Sequence, residues 1–271
     1  MKGRSFVKGL SFAKGHGTGN DFVVVPDPDG ELVLAPEHVA ALCDRRFGIG
    51  GDGVLRVVRT AAHPEVADRA GEAEWFMDYR NADGSLANMC GNGVRVFARY
   101  LVESGLASGP RVPILTRAGL VTAEIQGDII AAQMPTPRVY GPSRARLCDV
   151  DYEGTVATCG NPNLVCLVDD LSTVDLTRMP VLDAAVLPES ANVAFVTRVA
   201  DGHVRMRVTE RGVGETLPCG SGACAVAAVV LDGDGTLTID VPGGRLTVTL
   251  AGGFCVLAGP AVITAEGTTS R

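Results

Sequence analysis

Two short runs of the sequence put a cysteine where it could do chemistry. Met89-Cys90-Gly91-Asn92-Gly93 is followed by the stretch VRVFARYL, and Pro218-Cys219-Gly220-Ser221-Gly222 by ACAVAAVVL. Each reads as cysteine, glycine, polar residue, glycine, then a helix. A helix start leaves backbone N–H groups without intrahelical partners, and the aligned peptide dipoles place roughly half a positive charge there. A thiol held at that point has its thiolate stabilised and its pKa lowered from about 8.5. The flanking glycines let backbone N–H groups come close to an anion. One such element could be a redox or nucleophilic cysteine. Two in one chain suit two thiols that face a single anionic substrate.

Inverting an α-carbon beside a carboxylate needs that pairing. Removing the α-proton adds charge next to an existing anion, and two helix starts aimed at the carboxylate would offset it. The proton leaves one face and returns to the other, so an acid and a base must stand on opposite sides. Thiols suit both roles because their pKa lies near the working pH. Pyridoxal phosphate is the alternative electron sink, and no convincing site for it is visible. Taken alone, these residues leave two readings open: a thiol enzyme, or a pair of structural cysteines.

The elements that must position the two cysteines are mostly strands. The chain has 271 residues, 46% of them apolar, with 34 glycines and 5% aromatics. That suits one large domain or two smaller ones, rich in short strands and tight turns. Phe22–Val25, Val54–Val58 and Ile129–Met134 are apolar runs. Val204/Met206/Val208, Leu237/Ile239/Val241 and Leu246/Val248/Leu250 alternate with polar residues, the period of a half-buried strand. Pro242-Gly243-Gly244 and Gly252-Gly253 read as hairpin turns. One helix is expected from near Pro36 to near Gly48. Val94, Phe97, Ala98 and Leu101 fall at helical spacing after Cys90. The stretch after Cys219 is apolar all round and predicts a helix buried on every side. Met134-Pro135-Thr136-Pro137 reads as a linker, and the two Cys-Gly-polar-Gly helix starts suggest a duplicated α/β unit.

Other classes are disfavoured. The formal net charge is −7 with no Lys/Arg run to track a phosphate backbone, so no nucleic-acid partner is expected. No apolar stretch approaches the ~18 residues of a membrane span. Residues 1–10, MKGRSFVKGL, lack a secretory apolar core and read as a ragged extension before the first strand. Eight cysteines without a CxxC pair, and four scattered histidines, predict no metal site and a cytoplasmic protein with thiols. Cys43, Cys148, Cys159, Cys166, Cys224 and Cys255 are expected to be small buried hydrophobes. Gly48, Gly50 and Gly53 match GxGxxG, but a helix is expected before them and a strand after, the reverse of a dinucleotide fold.

Six runs occur in order: GHGTGNDF at 15–22, RRFGIGGDG at 45–53, NADGSLANMCGNGVR at 81–95, GNP at 160–162, ANV at 191–193 and TERGVGETLPCGSGACA at 209–225. With them the chain resembles the diaminopimelate epimerase family from about Ser11 to Gly267. The resemblance implies an α/β (α+β) fold of two pseudo-symmetric domains, each a barrel-like β-sheet around a central helix, with the active site in the interdomain cleft. The first domain would be 1–133 plus a returning C-terminal strand at about 257–271, and the second 134–256. It implies Cys90 and Cys219 as the acid/base pair, and no cofactor. Gly91, Asn92, Gly220 and Ser221 would cradle the reacting carboxylate, with Asn20 helping to hold the substrate. Asn81, Asn161, Asn192 and Arg211 would bind a distal amino-carboxylate, Arg211 through two parallel hydrogen bonds. Glu210 would assist ammonium binding or thiol protonation. The expected partner is a small amino acid, and the expected assembly a homodimer. Outside that context Asn81 is a turn residue, Glu210-Arg211 a surface ion pair, and His16 a packing or positioning group.

One residue departs from the family. Where it usually has Gly-Asn-Pro-His, this chain has Gly160-Asn161-Pro162-Asn163. An imidazole can take or relay a proton near neutral pH and an amide cannot. The change is either tolerated, or marks a different amino-acid substrate on the same scaffold, or weakens catalysis. An isomerase of a non-amino-acid substrate would normally lack one or both thiols. A non-catalytic binding protein could join Cys90 and Cys219 as a disulfide.

Overall fold

A computed structural model describes residues 9–187 and 190–269. Residues 1–8, most of the expected N-terminal extension, lie outside the described residues. Gly9 and Leu10 already pair with Thr269 through backbone hydrogen bonds.

Strands dominate, as the glycine-rich, aromatic-poor composition implies. In chain order they are β1 (Ser11–Gly17), β2 (Asn20–Pro26), β3 (Gly53–Arg59), β4 (Trp75–Asn81), β5 (Arg111–Thr116), β6 (Gly119–Gln126), β7 (Ile129–Met134), β8 (Arg138–Leu147), β9 (Val150–Cys159), β10 (Asn161–Leu167), β11 (Val181–Leu182), β12 (Asn192–Ala200), β13 (His203–Glu210), β14 (Gly214–Thr216), β15 (Gly235–Val241), β16 (Gly244–Ala251), β17 (Phe254–Pro260) and β18 (Val262–Thr268). The α-helices are α1 (Pro36–Cys43), α2 (Gly91–Glu103) and α3 (Gly220–Leu231). The chain divides into two compact units, Met1–Ala132 with Pro260–Arg271, and Gln133–Gly259. Among the described residues no helix is long and apolar enough to cross a membrane.

In the first unit, β18 pairs antiparallel with β1 and β1 with β2. Then β2–β3 is parallel, β3–β4 antiparallel, β4–β5 parallel, and β5–β6 and β6–β7 antiparallel. Helix α2 lies between β4 and β5 in sequence and packs against β1 to β6 and β18. Val94, Phe97, Ala98 and Leu101 are fully buried among Phe22, Leu55, Met77, Ile114 and Ile130. Val94, Phe97 and Leu101 each contribute about 1.5–3 kcal/mol by leaving water.

The second unit repeats the pattern. β8–β9 and β9–β10 are antiparallel, β10–β12 parallel, β12–β13 antiparallel, β13–β15 parallel, and β15–β16 and β16–β17 antiparallel. Helix α3 falls between β13 and β15 and packs on β8, β9, β10, β12, β15 and β16. The same order of parallel and antiparallel pairs, with one cysteine-led helix at the same place, makes the two units copies of one design. Helix α3 is buried from Gly222 through Ala227, with Ser221 and the last turn half-buried, so the expectation of burial on every side holds for its middle.

Local chemistry explains the remaining boundaries. Gly252 and Gly253 take φ of +56° and +83° and join Ala251 to its partner Phe254 in a two-residue hairpin. Helix α1 stops at Cys43, a turn earlier than the sequence suggests. Asp44 leaves the helical region and its carboxylate accepts the N–H groups of Arg46 and Phe47, taking the place of helical carbonyls. The run Gly48–Gly53 therefore sits between a helix and strand β3, the order that a dinucleotide site does not have.

One buried residue set was expected as a group and needs a correction. Cys43, Cys159, Cys166, Cys224 and Cys255 are buried, and burial pushes the Cys43 and Cys166 thiols up to about 12. Cys148, however, is exposed. With Asp149 it forms the two-residue turn between Leu147 and Val150, and both take positive φ. That geometry turns the side chain out of the sheet, where its Sγ lies 3.8 Å from Asp175 Oδ2.

Candidate active site

Each unit carries a half-site at the start of its helix. In the first, Cys90 is the N-cap of α2, with extended φ and ψ, and its Sγ accepts the Gly93 N–H at 3.4 Å. In the second, Cys219 is the N-cap of α3, and its Sγ accepts the Gly222 N–H at 3.4 Å. The cysteine carbonyls begin each helix by accepting from Val94 and Ala223. Sulfur thus stands where Ser, Asp or Asn oxygen usually caps a helix. A thiolate there satisfies an otherwise orphaned donor and meets the positive end of the dipole. Glycine at the third helical position keeps that space open. A Cβ on Gly93 would meet Leu55 Cδ2 at 3.3 Å and Cys90 Cβ at 3.4 Å.

Around Cys90 the structure gathers Asn20 and Asn92. Asn20 Oδ1 is 3.7 Å from Cys90 Sγ and accepts the Asn92 amide at 3.2 Å. Asn20 opens β2, directly after the turn whose Gly19 N–H is accepted by His16 Nδ1 at 3.3 Å, so His16 shapes the turn. Gly91 and Asn92 form the first turn of α2, and Asn92 is buried. Asn81 is held elsewhere. It ends β4, its amide donates to Ser85 Oγ at 3.0 Å, and its backbone closes the Asn81–Ser85 turn. These contacts are those of a turn residue.

Around Cys219 the structure gathers Asn163, Asn192 and Ser221. The Asn192 amide lies 3.8 Å from Cys219 Sγ and 3.4 Å from Asn163 Oδ1, and Ser221 Oγ is 3.5 Å from the sulfur. Asn163, where the family has histidine, is fully buried. Its own amide donates to the Asn161 carbonyl at 2.8 Å, while the Asn161 side chain is exposed. Asn192 Oδ1 accepts the backbone N–H of Arg211 at 3.0 Å, and Arg211 itself is exposed. Glu210, half-buried, accepts from Thr216 Oγ1 at 2.5 Å. Gly220 is the first residue of α3 and is buried.

Two residues that sequence reasoning did not single out stand behind the first half-site. Asp52 accepts the Asn20 amide at 2.7 Å, and Arg95 donates to Asn92 Oδ1 at 2.5 Å. Arg95 is fully buried and also donates to the Pro260 carbonyl at 2.9 Å. Its signal was present: a charged residue inside an otherwise apolar helical face, three positions after Asn92. Asp52 is tied to Arg45, which also grips Asp21 through both guanidinium ends. Burial pushes the Asp21 carboxyl up, but bonds from Arg45 and Lys14 outweigh it and hold it well below the usual range.

The family model described as diaminopimelate epimerase matches residues 12–139 and 155–264. The diaminopimelate epimerase of Thermobifida fusca (strain YX) is 53% identical over 267 residues, covering 95% of this chain and 97% of the relative. That of Streptomyces coelicolor (strain A3(2)) is 48% identical over 273 residues, covering 95% and 94%. Among solved structures, a PhzF-family phenazine biosynthesis protein of Bacillus anthracis shares the fold at a TM-score of 0.72 and 19% identity, covering 97% of this chain and 99% of that one. A hydroxyproline epimerase of Agrobacterium vitis, solved with bound trans-4-hydroxy-L-proline, does so at 0.67 and 17%, covering 99% and 92%. The chain belongs to the diaminopimelate epimerase family.

Proposed function

We propose that the chain epimerises LL-2,6-diaminopimelate to the meso form, an isomerase step of lysine biosynthesis, with Cys90 and Cys219 as the two acid/base groups. The observation that carries the mechanism is their matched placement: each thiol caps a helix and accepts its third N–H. One sulfur, as thiolate, takes the α-proton. The other, as thiol, returns a proton to the opposite face of the same carbon. The helix starts at Gly91-Asn92 and Gly220-Ser221 offset the charge that builds beside the carboxylate. With that charge offset by fixed backbone dipoles, the reading calls on no cofactor as electron sink.

Asn20 helps to hold the reacting end. Asn81, Asn161, Asn192 and Arg211 remain the candidates for the distal amino-carboxylate, with the exposed Arg211 guanidinium suited to a bidentate grip on a carboxylate. Glu210 is the candidate for ammonium binding or for assisting thiol protonation. A homodimer, which the family resemblance implies, and a cytoplasmic location, which the cysteine usage suits, are part of the same reading. The relatives carry the diaminopimelate name, and no observation favours a different amino acid for the Asn163 site.

The test is turnover of LL-diaminopimelate beside a panel of amino acids that lack a distal carboxylate. The expected result is a kcat/KM for diaminopimelate at least about a hundredfold above the panel, as a site built for a buried polar group gives. Faster turnover of any panel member would overturn the substrate assignment.

A further inference from the structure

The two thiols meet amide groups of opposite polarity, and charged or backbone groups at the far ends of those amides fix which way they point. In the first unit, the Arg95 guanidinium can only donate, so Asn92 presents its oxygen to Arg95 and its NH2 to Asn20 Oδ1. At the other end the Asp52 carboxylate can only accept, so Asn20 gives its NH2 to Asp52 and turns Oδ1 toward Cys90 Sγ at 3.7 Å. An amide oxygen cannot donate, so that contact is a hydrogen bond only while Cys90 carries its proton.

The second unit has the reverse polarity. The Arg211 backbone N–H fixes Asn192 Oδ1, and the Asn161 carbonyl fixes the Asn163 NH2. Asn192 therefore presents N–H to Cys219 Sγ; the helix N–H of Gly222 on that sulfur is matched by that of Gly93 on Cys90, so the side-chain amide is what differs. Hydrogen bonds of that kind strengthen when the acceptor is an anion.

We propose that Asp52 and Arg95 are positioning residues that lock the Asn20–Asn92 amide pair, and that the lock keeps Cys90 as the thiol and Cys219 as the thiolate of the resting protein. This rests on the epimerase reading and deepens it. The resting form is then primed to abstract with Cys219 and deliver with Cys90, and the opposite direction starts from a less populated form. The charged groups around Cys90 are Asp52 with Arg45 and Asp21 behind it, Lys14 on β1 against Asp21, and Arg95 on α2; Tyr79 of β4 packs on the same core. On the Cys219 side the titratable neighbour is the Cys159 thiol of β9, while Glu210 ends β13 and Arg211 follows it, its backbone N–H on Asn192.

The experiment follows carbamidomethylation of each cysteine by iodoacetamide across pH, read by peptide mass, in the intact chain. The midpoint of each pH profile reports thiolate formation whatever the accessibility of the sulfur. The Cys90 midpoint is expected about one pH unit or more above that of Cys219. In Asp52→Leu the Cys90 midpoint falls and that of Cys219 stays. In Asp52→Asn the charge is gone but an acceptor oxygen for Asn20 remains, so the fall is smaller. A Cys90 midpoint at or below that of Cys219, or equal shifts in the two variants, would overturn the proposal. Alkylation needs no turnover, so either result leaves the epimerase reading to its own assay.

Discussion

The Gly222 N–H donates to Cys219 Sγ at 3.4 Å, and a Cβ built on Gly222 would lie 3.2 Å from that sulfur and 3.4 Å from Asn163 Oδ1. Helix geometry tolerates alanine there, and the exchange even gains helix propensity of about 0.8–1 kcal/mol. The sulfur and the amide must nevertheless give way by a few tenths of an ångström. Gly222→Ala is therefore expected to stay within about 1 kcal/mol of the parent in urea unfolding while kcat falls by at least about tenfold, because reacting groups tolerate little displacement. Gly71→Ala, where a Cβ meets nothing within 4 Å, is the silent control. Unchanged kcat in Gly222→Ala would show that the sulfur position is not critical.

Asn163 supplies the oxygen that holds the Asn192 amide beside Cys219. An amide does not titrate, so this position adds no ionisation of its own to the pH–rate profile. Asn163→His places a titratable imidazole at this buried position and is expected to shift the acid limb of the profile. An unchanged limb would make the position a bystander.

Acid stability has its own signature in the first unit. Asp78 is fully buried, and although burial pushes its carboxyl up, hydrogen bonds from Arg117 and Arg80 outweigh this and hold it below the ordinary range. His63 lies 3.8 Å from Asp78, yet burial pushes its pKa below 6.5. Above about pH 6.5 both folded and unfolded chains are neutral there, and below it the unfolded chain takes up the proton first, so stability falls. Asp78 adds a second loss as pH drops below about 4, the unfolded carboxyl pKa. Urea midpoints measured from pH near 8 down to near 5 should show the first decline, and His63→Gln should flatten it. An identical decline in that variant would assign it to other groups.

Much of this was legible in the sequence for physical reasons. Strand alternation marked Val204, Met206 and Val208, all buried in β13. Gly252-Gly253 marked a hairpin because positive φ is needed there. The two helix starts were visible because cysteine, glycine and an apolar run are local in sequence. What was hidden depends on partners far apart in the chain. Asp52 acts on Asn20 from thirty-two residues away, and Arg95 reaches the carbonyl of Pro260, the last residue of β17. Cys148 was misplaced because hydrophobic burial was assumed where hairpin geometry decided.

The account turns most directly on two sulfurs serving one carbon. Wild-type protein incubated with LL-diaminopimelate in deuterated water should form the meso isomer with solvent deuterium at the inverted centre. Cys90→Ala and Cys219→Ala should each lower net inversion by at least about a thousandfold, the scale of losing a general acid or base. Inversion that persists in either variant near the parent rate would contradict the two-thiol mechanism.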